Sequence, residues 1–197
     1  ALQLRGHDVL LAAPDNFADW VTGHGLKFYP MGIDMQAFLQ SPEVRRMMSG
    51  NWFRLAKIWR NTIIPMIRNT LDATWEAGRE AEVIIFHPKV SGAVDVAEAT
   101  GATPICGSPV PMFPTSAFPV LIWARDFGPK LNRLSYRIFH LSRPPYRKII
   151  NQWREEKLGL GKGPTFASIA SFKGELVTSM CAVSPAVLPR PDDWGEN

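Results

Sequence analysis

Residues 82–119 read EVIIFH, PKVSGAVDVAEATGA, TPICGSPV and PMFPTSAFP. Val83, Ile84, Ile85 and Phe86 form an unbroken apolar run rich in β-branched residues. Such a run suits a strand buried on both faces of a parallel sheet. From Ser91 to Thr100 the spacing is helical, with Val90, Val94 and Ala97 on one face and Asp95 and Glu98 on the other, toward solvent. Gly101 ends that helix, and Pro104, Ile105 and Cys106 begin a second strand. The stretch is therefore a βαβ unit, in which ligands sit beyond the carboxyl ends of the strands. Two loops lie there. One is His87-Pro88-Lys89; the other carries Pro109, Pro111, Pro114 and Pro119 around Met112, Phe113 and Phe118. A stiff apolar loop at that edge either walls a binding cleft or covers the end of the sheet, and the local sequence leaves both readings open.

Upstream, Ala1 to Arg5 reads as the last turn of a helix, stopped at Gly6-His7. Residues 8–13 read as a strand, and Asp15 or Asn16 as the cap of a helix with Phe17, Trp20 and Val21 inward. Leu26 to Tyr29 is a further strand, stopped by Pro30. The order α-β-α-β is in step with a doubly wound sheet. Residues 35–79 predict a long helix starting at Ser41-Pro42. Its stripe is Trp52, Leu55, Trp59, Ile63, Ile67, Leu71 and Trp75, with a basic remainder and a bend at Pro65. That helix packs on the sheet or faces a membrane. A second helical region, Lys130 to Lys157, has Leu131, Leu134, Ile138 and Leu141 on one face and breaks at Pro144-Pro145. Glu175 to Ser184 reads as a last strand, and 185–197, with Asp192 and Asp193, as linker charge.

A chain of 197 residues with 46% hydrophobic content is enough for one domain with a core. Its formal charge of +4, without a dense Lys/Arg block, does not indicate nucleic-acid binding. Cys106 and Cys181 in strands read as buried reduced thiols, which suits a cytoplasmic setting. Cys and His show no metal-ligand spacing, and no apolar run approaches the ~20 residues of a membrane helix. His7, His24 and His140 read as surface or cap residues. His87, following a buried strand, is placed to orient a carboxylate or take a proton near neutral pH, or to bond its own loop.

Three segments in order, RGHDVLLAAPDNFADWVTGHGLKFYPMG, IIFHPKVSGAVDVAEATGATPI and VSPAVLPRPDDWGEN, resemble the sterol-glucosyltransferase-like branch of the UDP-dependent glycosyltransferases. The resemblance spans nearly the whole chain and implies the N-terminal half of a GT-B fold, Rossmann-like, with long helical insertions. Residues 1–184 are then the acceptor-binding domain and 185–197 the start of a linker to a donor-binding domain. It implies inverting transfer of a hexose, glucose above all, from a UDP-sugar to a hydroxyl of a sterol-like or lipid-like acceptor. No metal and no cofactor is required, and the UDP-sugar is held mainly by the other domain. The family's first strand, and the loop bearing its catalytic Asp, are expected before Ala1, so this chain alone is expected to be inactive. His87 takes a supporting catalytic role. Pro109, Met112, Phe113 and Phe118 line the acceptor pocket, and Trp52, Phe53 and Trp59 close it. A polyketide or other natural-product acceptor is the alternative within this class. A non-catalytic α/β module that binds a hydrophobic ligand or docks peripherally on a membrane is the alternative outside it.

Overall fold

All strand pairings are parallel in the computed structural model, which describes residues 1–42, 59–109, 113–120, 125–141, 147–163, 178–181 and 190–194. Strand β1 (Leu10–Ala13) pairs with β2 (Lys27–Pro30), joined by helix α1 (Ala18–Gly23). A separate sheet has the order β3 (Val83–Phe86), β4 (Thr103–Ser108), β5 (Thr178–Cys181). Helix α4 (Ala93–Thr100) makes the crossover from β3 to β4, and Gly101 stops it at φ +77° with its N–H on the Ala97 carbonyl. The βαβ unit is as the sequence predicts.

The expected single sheet is present as two pieces. Among the described residues β1 pairs only with β2 and β3 only with β4, so each keeps an open edge. The expectation that β3 is buried on both faces is corrected accordingly. Val83 and Ile85 are 50% and 52% exposed, while Phe86 on the other face is buried. Ile84 packs so closely on Gly78 that a Cβ there would lie 3.3 Å from its Cδ1.

Helix α2 (Met35–Gln40) is capped by Asp34, whose Oδ1 accepts the Ala37 N–H at 2.8 Å. Asp15 and Asn16 do not cap α1 as expected; their side chains reach across to the N–H groups of Gly32 and Met35. Of the expected inner face of α1 only Val21 is buried, and Phe17 and Trp20 are exposed. A π-helical turn, Trp59–Ile63, leads into α3 (Ile64–Gly78). Pro65 lies in the first turn of α3, directly after the π-helical turn, so the regular helical pattern is interrupted where the sequence places the bend. The second helical region forms α5 (Pro129–Leu141) and α6 (Arg147–Trp153), followed by a π-helical turn to Leu158. Pro144-Pro145 lies outside the described residues.

The core joins Leu71 of α3, Val96 of α4, and Ile149 and Trp153 of α6. Trp153 also donates its indole N–H to Asp72 at 2.8 Å. Gly92, at φ +90°, lets the chain enter α4 against this core, because a Cβ there would come within 2.7 Å of Leu71 Cδ2. Beside the core Arg154 is fully buried. Its guanidinium pairs with Asp95, with Glu98 at 3.0 Å and with the Gly161 carbonyl at 2.9 Å. The reading of Asp95 as solvent-facing is thus corrected. Burial pushes its carboxyl up, against the pull of the Arg154 contact. Arg154, which opens the π-helical turn after α6, pins that end of the helix to α4.

Removing one partner of a buried ion pair strands the other, at a cost of about 3–5 kcal/mol. Arg154→Ala is expected to lower the unfolding free energy by that amount, read as a lower urea midpoint at unchanged slope. Replacing Arg154 and Asp95 together by apolar residues is expected to recover most of it. A loss below about 1 kcal/mol for Arg154→Ala would show that the pin is not structural.

Candidate functional site

Because β3 and β4 run parallel with Phe86 opposite Cys106, the chain leaves both strands at the same sheet edge. The turn after β3 begins with His87, whose carbonyl accepts the Val90 N–H at 2.9 Å. Its Nδ1 accepts the Lys89 N–H at 3.1 Å. A neutral ring with Nδ1 accepting carries its proton on Nε2, which leaves an N–H donor for a ligand or carboxylate. Partial burial and the neighbouring Lys89 charge lower the His87 pKa, so the neutral ring is favoured. The turn-bonding alternative is therefore realised at Nδ1, which leaves Nε2 for other partners.

The loop after β4 returns over this turn. Phe113 packs on the cluster of Phe86, Ala93 and Cys106, beside Val90 and Val94. Four prolines leave the loop short of backbone donors and unable to extend the sheet. Its remaining polar groups are met from two sides. From α5, Asn132 Nδ2 donates to the Ser116 carbonyl at 3.1 Å, and Ser135 Oγ accepts the Val120 N–H at 2.8 Å. The Tyr136 hydroxyl donates to the Pro119 carbonyl at 3.4 Å. From residues 190–194, the Asp193 carboxylate accepts the Thr115 hydroxyl at 2.6 Å, the Ser116 N–H at 2.7 Å and the Ser116 hydroxyl at 3.0 Å. Trp194 donates its indole N–H to the Pro114 carbonyl at 3.2 Å. Its ring meets Phe113 and Phe118 edge-on, with centroids 6.1 and 6.2 Å away.

Phe113 and Phe118 are thus brought together, with Trp194 between them and His87 on the adjacent turn. Pro109 is exposed at the start of the loop. Met112, Trp52 and Phe53 lie outside the described residues, as does the side chain of Trp59, whose backbone opens the π-helical turn. Reading Asp193 as linker charge is corrected: it is a loop anchor. Its only sequence signal, and that of Trp194, is an aromatic residue beside a carboxylate in a segment that otherwise reads as spacer. Among the described residues no group of His, Cys, Asp and Glu could hold a metal ion. Nor is any described helix long and apolar enough to cross a membrane.

Burial raises the Asp193 carboxyl, but the hydrogen bonds from Thr115 and Ser116 outweigh it, and the net pKa is lowered. The anchor is then complete above the unfolded carboxyl value of about 3.9 and is released as pH falls through the lower folded value. An acid titration of Trp194 emission, read against Trp194→Phe, is expected to have its midpoint below about 3.9. Asp193→Asn is expected to abolish that transition. A midpoint at or above the unfolded value would contradict the contact.

No family model matches the chain. Among curated proteins it is similar to a sterol 3-beta-glucosyltransferase of Arabidopsis thaliana, 31% identical over 98% of this chain and 31% of the relative. A second one from the same plant is also 31% identical, over 98% of this chain and 32% of the relative. A sterol 3-beta-glucosyltransferase of Yarrowia lipolytica is 26% identical over 98% of this chain and 13% of the relative. The chain spans about a third or less of the length of the curated relatives it matches.

Proposed function

We propose that this chain, sterol-glucosyltransferase-like over 98% of its length, is the acceptor-binding part of an enzyme that glucosylates a sterol hydroxyl. The observation that carries the reading is the convergence of the His87 turn, Phe113, Phe118 and Trp194 at the carboxyl edge of β3 and β4. Aromatic edges and faces suit a flat apolar acceptor, and the open edge of an α/β sheet is where such ligands bind. In this reading the fold is the N-terminal, Rossmann-like half of a GT-B enzyme. A UDP-sugar is held mainly by the other half, and the 190–194 segment leads toward it.

The reaction so proposed is a single inverting displacement. The acceptor oxygen attacks the anomeric carbon as its proton passes to a carboxylate base, and the bond to the UDP oxygen breaks. His87 is proposed as a positioning residue. Its Nε2–H donates to that carboxylate and holds it toward the hydroxyl, as the Nδ1 contact with Lys89 allows. That carboxylate is proposed to lie in a loop preceding Ala1, as the resemblance implies.

Assayed as the complete protein with UDP-glucose, a sterol acceptor is expected to yield the sterol glucoside. His87→Ala is expected to lower kcat about 10-fold or more with little change in sterol KM, and His87→Gln, which keeps a donor, to restore part of it. No transfer to any sterol would overturn the reading. Unchanged kcat in a folded His87→Ala would remove His87 from it.

A further inference from the structure

Helix α5 turns its polar face inward. Among its described side chains the buried ones are Asn132, Ser135 and Tyr136, which grip the 113–120 loop. Its apolar stripe lies outside: Leu131, Leu134 and Ile138 are 50%, 42% and 47% exposed, and Phe127 just before the helix is 46% exposed. At 100° per residue the three helical positions fall within an arc of about 60°. Lys130, Arg133 and Arg137, all exposed, fall within a neighbouring arc of about 60°. With Arg125 they make four cations in residues 125–141 against one carboxylate, Asp126. That carboxylate is occupied by the Gly128 N–H and the Asn132 amide, each at 2.8 Å. Among the described residues none of the four cations takes part in an ion pair.

We propose that the outer face of α5 docks on the surface of an anionic lipid bilayer. An apolar strip alongside a basic arc matches the two layers such a surface offers, acyl chains and negative headgroups at adjacent depths. An apolar protein groove would satisfy the strip but leave the neighbouring guanidinium groups to be desolvated without partners. Docking in this pose sets the 113–120 loop, held on the opposite face of the same helix, one helix diameter (~10 Å) from the bilayer that holds a sterol. That last consequence rests on the proposed function; the docking itself rests on the helix.

The test is co-sedimentation of the complete protein with sterol-free vesicles, so that binding is judged apart from acceptor chemistry. Vesicles of phosphatidylcholine with phosphatidylserine are expected to carry the protein down, and phosphatidylcholine alone is not. High salt is expected to release it. Arg133→Gln with Arg137→Gln is expected to lower partitioning about 30-fold. Leu134→Ser with Ile138→Ser is expected to lower it at least about tenfold. All four residues are exposed, so both variants are expected to keep the parent's circular dichroism and unfolding midpoint. Absence of binding to the mixed vesicles, or binding that neither variant weakens, would overturn the proposal. So would an oligomer in sedimentation velocity that the Ser variant dissolves, since the strip would then belong to a second copy. Sterol glucosylation without vesicle binding would remove the docking and leave the proposed function standing; vesicle binding without glucosylation would do the reverse.

Discussion

A loop with four prolines cannot meet its own hydrogen-bonding needs, and the functional end of this molecule is organised by that constraint. Each proline removes a donor and forbids strand pairing. The carbonyls and amides of residues 114–120 must then be satisfied by side chains from elsewhere. Asn132, Ser135 and Tyr136 do so from α5, and Asp193 and Trp194 from the 190–194 segment. The loop is consequently held between two elements remote in sequence, and Phe113 and Phe118 come to rest on Trp194.

Much of this architecture is written locally in the chain, and the rest is not, for identifiable reasons. The unit from Val83 to Ser108 is legible because an unbroken β-branched run, a glycine stop and a second apolar run each act within a few residues. The burial of Asp95 is not legible locally because its partner, Arg154, lies 59 residues away. Nothing near Asp95 distinguishes a buried carboxylate from a solvated one. The anchors of the proline loop are equally distant, with Asp193 77 residues from Ser116 and Trp194 80 residues from Pro114. In α5 the apolar period is legible, but the side it faces is not. Periodicity gives the spacing of a stripe, and only the demand of the loop for polar partners turns Asn132 and Ser135 inward.

The two sheet edges follow the same logic. β1 and β3 keep exposed apolar residues, Leu10 at 45% and Val83 and Ile85 near half, along edges that no described strand covers. An open edge of this kind is a template for pairing. It leaves the stability of the piece resting on the helical side, where Leu71, Val96, Trp153 and the Arg154 pin tie α3, α4 and α6 together. The fold thus separates its tasks, with helices supplying cohesion and the carboxyl edge of β3 and β4 presenting the candidate site.

That convergence is tested most directly by photo-crosslinking the complete protein with a diazirine-bearing sterol and mapping the adducts by mass spectrometry. The account predicts adducts on residues 87–90 and 113–118 and on Trp194. Adducts confined to other surfaces, such as the exposed Phe17 and Trp20 around α1, would contradict it.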